Sequence, residues 1–430
     1  MKVKAKGWFA LFTAILLLIA GCDEQNAGVR PTATAGADDE GQPVEEQSLR
    51  VLTNRVDLIE NGVLAGYAER FSELHPGAVI EFEGLTNYAS DIMVRLSTRN
   101  LGDVLLLPNN MKNESFPDYF EPLGDELFEG MRFADFKSHQ GKRYGIATGI
   151  STSGIVYNKE AFRKAGITDV PTTLEQFYEA CEKLKRAGIV PVYLNYGAKW
   201  PLMSWGEDLV SYMTGDPEYL NRMTETDEPF RADNAWGEAI TIVRTLIEKG
   251  YVEQGLISNQ WETSKQELAS GRAGMYLMGN WVINQVVSAG ADSDTIGFFP
   301  FPYDNSGKRY APLSPDWFAG ISKFSENKEL ASAWITFFVR ESGYVDASGF
   351  LPVEEAKESE LPQIRQFMSY EPFMVEKSAP SDRLMEIAAA AQIPFWSGDN
   401  IQEWIAAPEL EDVFGQYNER WREARNISER

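Results

Sequence analysis

From Ser48 onward, short apolar runs alternate with longer stretches in which apolar residues recur every three or four positions. LRVLTN (49–54) reads as a strand. Residues 61–75 then place Val63, Leu64, Tyr67, Phe71 and Leu74 on one stripe, the spacing of an amphipathic helix. Pro76 and Gly77 stop it. AVIEFEGL (78–85) returns to strand character, residues 88–98 to helix, and DVLLLPNN (103–110) is a continuous apolar strand with a polar end. This order predicts an α/β fold with a mostly parallel sheet and helices on its faces. In such sheets ligands sit beyond the carboxyl ends of the strands. That singles out Thr53, Asn54, Asn109 and Asn110, residues that equally suit turns.

The segment 144–194 carries several helix signals. Asn158 is placed to cap a short helix that closes near Gly166. Thr172 and Glu175 have capping-box spacing. Lys183, Lys185 and Arg186 followed by Gly188 suit a helix end. Cys181 shares a helical face with Leu174, Phe177, Tyr178 and Leu184, and reads as a small buried hydrophobe.

The first residues break the pattern. Lys2, Lys4 and Lys6 precede an apolar run, Trp8–Ala20, of thirteen residues. A spanning helix needs about 20, so residues 1–21 read as a secretory signal. Its end, Ile19-Ala20-Gly21-Cys22, resembles a bacterial lipobox, in which lipid is built on the cysteine. Each buried CH₂ adds about 0.8 kcal/mol of membrane affinity. A multiply acylated Cys22 would hold the chain at the extracytoplasmic face of the cell membrane. Residues 23–47 contain no aromatic, Leu or Ile. Such a segment cannot offset its ordering entropy, so 22–47 reads as a lipidated cysteine and flexible tether. Cys22 and Cys181 are the only cysteines, which leaves no disulfide to expect.

Charge narrows the function. A net charge of −24 disfavours nucleic acid as a partner. His75 and His139 have no partner at metal-ligand spacing, and Asp292 and Asp294 lack the other ligands of a calcium loop. Neither G-x-S-x-G nor a phosphate loop occurs. Neither a metal nor a cofactor is therefore expected. The paired carboxylates of a glycoside hydrolase are defined by separation in space, which 64 acidic residues leave open.

Four blocks in order then carry a resemblance. In 144–194, an aromatic-Gly-Ile strand and small-residue crossover lead to Tyr157-Asn158-Lys159, a Pro-Thr cap and a long helix ending Lys-x-x-Gly. The others are ELASGRAGMYLMGNWVIN (267–284), GISKFSENKELASAWITFFV (320–339) and GFLPV (349–353). Together they resemble the extracellular solute-binding proteins of ABC importers, in the carbohydrate-binding family that includes maltodextrin-binding protein. The resemblance implies two α/β lobes that clamp a ligand, as in periplasmic binding proteins. The N-terminal lobe would be 48–150 with 303–350, and the C-terminal lobe 151–302 with 351–430. Chain crossovers would fall near 150–155, 299–303 and 349–353.

A sugar site needs flat apolar surfaces for ring faces and convergent polar groups for hydroxyls. Of eleven tryptophans, Trp200, Trp281, Trp317 and Trp396 lie at element ends, where pockets form. Trp236, Trp334, Trp404 and Trp421 lie within helical runs and suit packing, while Trp205 and Trp261 fit either role. By position in the family blocks, Trp281 and Trp396 match stacking aromatics. Asp316, Asn54, Asn110 and Ser151 complete the candidate set. Relatives often carry an acid at the position of Asn110, and some carry Glu at that of Ser151. Both are uncharged here, which points away from maltodextrin. The expected protein is a monomeric, non-enzymatic binding component with a carbohydrate ligand and ABC permease subunits as partners. A surface glycoside hydrolase and a sensing partner of a receptor kinase are the alternatives.

Overall fold

The computed structural model describes residues 46–86, 88–109 and 111–428. The signal, Cys22, nearly all of the tether and Asn110 lie outside them. Among the described residues, no helix is long and apolar enough to cross a membrane.

The chain builds two main sheets. The first has the order Ala78–Gly84, Gln47–Thr53, Val104–Leu106, Phe318–Ser322 and Phe120–Glu121, and Ile146–Ala147 also pairs with the fourth. Val51 pairs in parallel with Phe82 and Val104, whereas Ala319 faces Leu106 antiparallel. Helices Val63–Leu74 and Lys328–Arg340 bury Phe71 and Trp334 in this lobe's core with Leu49 and Leu105.

The second sheet runs Val190–Val192, Ala273–Gly279, Ser153–Asn158 and Ile296–Phe299. Only Val190–Val192 is parallel to its neighbour; Ser153–Asn158 runs against both of its own. The expected mostly parallel character therefore holds for the first three strands of the chain and gives way elsewhere to mixed sheets. Direction follows from where a strand begins. Strands fed by a helix within a lobe end at the inter-lobe side, as Ala273–Gly279 does before Trp281. Ser153–Asn158 and Phe318–Ser322 arrive from the crossing and start there, so they must run the other way.

Local signals were met with one slip. Asn158 caps its helix, its side chain accepting from the Ala161 N–H at 2.8 Å. In the next helix, Leu174–Arg186, the cap is Thr173 rather than Thr172, and Gln176 rather than Glu175 closes back on the chain. Two adjacent threonines offered the same chemistry one residue apart. Cys181 is fully buried on this helix beside Phe177 and Leu184. Trp236, Trp404 and Trp421 are sealed in the same core, together with helix Leu410–Ser428.

A small third sheet joins the lobes. Its central strand, Tyr310–Pro315, pairs with Phe373–Glu376 and with Ile150–Ser151. Ile150 and Leu351 exchange both backbone bonds, at 3.0 and 2.9 Å. Asn280, fully buried, ties the passages together. Its Oδ1 accepts from the Thr152 N–H at 2.8 Å, and its Nδ2 donates to the Gly349 carbonyl at 2.6 Å.

Candidate functional site

Between the lobes lies a cleft of about 960 Å³. Trp200, Trp281, Trp317, Trp396, Asp316 and Asn54 all line it. Ser151 does not belong to that lining: it pairs with Ser314 in the joining sheet. Asn109, next to the undescribed Asn110, reaches the cleft.

Three indoles form one wall. The ring centres of Trp200 and Trp261 are 4.7 Å apart at 71°, those of Trp200 and Trp281 5.8 Å at 34°, and those of Trp261 and Trp281 6.0 Å at 54°. These are favourable aromatic geometries. Trp281 follows the buried strand Ala273–Gly279, and its indole lies over Gly279. A Cβ there would fall 2.3 Å from the Trp281 Nε1, so only glycine admits this packing. Trp200 opens the turn Trp200–Trp205, and its backbone is approached by Gly398, where a Cβ would lie 2.1 Å from the Lys199 carbonyl.

Trp317 comes from the first lobe. It packs edge-on against Tyr88, with centres 5.3 Å apart at 69°. The Tyr88 hydroxyl is fixed in turn by the Leu106 N–H at 2.7 Å. Trp396 sits at φ 62°, in the left-handed region that L side chains rarely adopt. Its N–H donates to Glu207 Oε1 at 3.2 Å, and the Asn400 amide approaches the same oxygen at 3.4 Å. Burial pushes the Glu207 carboxyl up to about 7, against the pull of those backbone and amide donors.

The polar side of the cleft is organised by Arg55. It donates to both oxygens of Asp57, at 2.8 and 2.6 Å, and to Ser348 Oγ at 2.7 Å. Burial pushes the Asp57 carboxyl up, but the bonds and charge of Arg55 outweigh it and hold the group below its usual range. Asp316 is different. Burial lifts it to about 7, opposed by the Arg55 charge and the Trp317 N–H. It remains an acceptor with capacity for ligand hydroxyls.

Sequence reading left Trp261 undecided and missed Tyr88, Arg55 and Asp57. Trp261 had the same signal as the other four indoles, because it stands first in helix Trp261–Ala269. Arg55 directly follows the strand-end residue Asn54. Tyr88 and Asp57 looked like ordinary helix residues, and nothing local sets them apart.

Two α/β lobes, a joining sheet and an indole-lined gap define a two-lobed ligand-binding protein. The profile of the bacterial extracellular solute-binding proteins matches residues 58–344, and the chain belongs to that family. The fold is similar to that of a manno-oligosaccharide-specific solute-binding protein of Bifidobacterium animalis subsp. lactis in complex with mannotriose. The TM-score is 0.79 at 24% identity, over 89% of this chain and 95% of that one. It is also similar to RafE in complex with raffinose, with a TM-score of 0.73 at 15% identity over 88% and 100% of the two chains. Among curated relatives, the multiple sugar-binding protein of Streptococcus mutans is 20% identical over 62% of this chain and 65% of its own length. The sn-glycerol-3-phosphate-binding protein of Brucella melitensis is 26% identical over 48% and 49%. The chain thus spans less than two thirds of the length of the curated relatives it matches.

Proposed function

We propose that this protein is the substrate-binding component of an ABC importer and captures a neutral oligosaccharide between its lobes. One observation carries the reading: the Trp200–Trp261–Trp281 wall and Trp317 line a single cleft of about 960 Å³. Indole faces suit the C–H surfaces of sugar rings, and Asp316, Asn54 and Asn109 offer partners for hydroxyls. The named ligands of several relatives, manno-oligosaccharides and raffinose among them, are of this class.

The lobes are assigned to 48–150 with 303–350 and to 151–302 with 351–430. Lipid on Cys22 holds the monomer at the outer face of the cell membrane, where it meets the permease. Binding rather than hydrolysis is favoured by the acids of the described lining. Asp57 is engaged by Arg55, which leaves Asp316 without the second free carboxylate that glycoside hydrolysis requires.

The test is a thermal-shift and tryptophan-fluorescence panel of mannobiose, mannotriose, raffinose, stachyose and sn-glycerol 3-phosphate. A ligand at 100 times its dissociation constant stabilises by about 2.7 kcal/mol. A response to a neutral sugar supports the reading. A response to glycerol phosphate alone, or none at all, overturns it.

A further inference from the structure

A second cavity, of about 280 Å³, adjoins the cleft, and Asn109, Asp316 and Trp396 line both. These three residues form the neck between them. Three of the charged residues on the chamber walls are held in ion pairs. Lys377 bridges to Asp208, and Lys112 to Glu386 at 2.8 Å. Lys137 stands apart. It is 7% exposed, with the rings of Phe116 and Phe318 at 5.7 and 5.5 Å. Among the described residues its ammonium makes one hydrogen bond, a long one of 3.5 Å to the Pro108 carbonyl. An ammonium carries three donors, and buried donors without partners are costly.

The chamber therefore presents an underused donor in its wall and an underused acceptor, Asp316, at its neck. A hydroxyl-bearing ring meets both demands, because each hydroxyl donates and accepts. A free anion would suit Lys137 but would also meet Asp208, Asp316 and Asp382 on the same walls. Resting on the function proposed above, we infer that the chamber is a further subsite. It takes a terminal unit of a neutral oligosaccharide, with Lys137 donating to its hydroxyls. Burial lowers the Lys137 amine to about 8, so it is still mostly charged, and donating, at neutral pH.

Calorimetric titrations of the full chain with two pairs of sugars test this. Mannobiose and mannotriose differ by one unit, as do raffinose and stachyose. Two variants are compared with the wild type: Lys137→Met, which removes the donor, and Ala379→Phe, which narrows the chamber from a partly exposed loop. The second keeps the test alive if the first folds poorly. In the series that binds, both variants should weaken the longer sugar at least tenfold and the shorter less than twofold. Equal weakening of both lengths, or no weakening, overturns the subsite while leaving the aromatic cleft standing. Binding of sn-glycerol 3-phosphate that is lost in Lys137→Met would overturn it in favour of an anion site. Failure of every sugar to bind wild type would remove the parent reading and the subsite with it.

Discussion

An indole offers a ring face that is broad, rigid and apolar, and its placement decides what it can hold. Trp281 belongs to the aromatic wall, within 6.0 Å of both neighbours. Replacing Trp281 with Ala should weaken sugar binding by about tenfold or more, since an aromatic stack adds about 0.5–1.5 kcal/mol beyond its buried area. Equilibrium titration of the variant checks this, with thermal melting to show that the fold survives. Glu207 gives a pH prediction. Its folded-state carboxyl, near 7, lies above its ordinary 4.5. Between those values the native state keeps a proton that the unfolded chain has released. The contribution of Glu207 to stability should therefore be greatest below about 4.5 and fall as pH rises towards 7. Glu207→Gln, which cannot ionise, should melt higher than wild type at pH 8 and close to it at pH 4. Melting curves across that range decide, and equal gaps at both pH values would show that folding does not raise the Glu207 carboxyl. Residue chemistry was the most legible layer of the sequence. Aromatics at element ends stood out, and Trp236, Trp334, Trp404 and Trp421, read from their helical runs as packing residues of core or surface, are all buried. Arg55 and Tyr88 were not visible, because their roles depend on Ser348 and Leu106, distant in sequence.

Elements were legible as types but not as directions. The runs around 49–54, 78–85 and 103–110 became strands because their apolar content fixes extended, buried backbone. Nothing in a strand's own composition says whether it enters its sheet from the lobe or from the crossing. That choice made Ser153–Asn158 and Phe318–Ser322 antiparallel to their neighbours. The joining sheet was likewise hidden, since it gathers residues near 150, 312, 351 and 374. Asn280 is where these passages are held. Asn280→Ala would leave the Thr152 N–H and the Gly349 carbonyl without partners in a buried place. Each such loss costs about 1–3 kcal/mol. Denaturant unfolding should show a lower midpoint, whereas an unchanged midpoint would mean that the passages do not depend on this amide.

At the scale of the molecule, a cleft between two lobes joined by short strands allows closure by rotation of the chain at the joins. Cross-lobe contacts at the rim, such as Lys112 with Glu386, are exposed and contribute little alone. Closure should then be governed by the ligand, whose two faces meet indoles from both lobes. Scattering in solution should give a smaller radius of gyration with saturating sugar than without it. The central claim is that the cleft binds a neutral oligosaccharide reversibly and leaves it intact. Calorimetry of the full chain with mannotriose and stachyose, followed by chromatography of the recovered sugar, addresses it most directly. One sugar per chain, recovered uncut, with binding abolished when Trp200, Trp261 and Trp281 are all replaced by Ala, is the predicted result. Cleaved product, or heats unchanged by losing the three indoles, would contradict it.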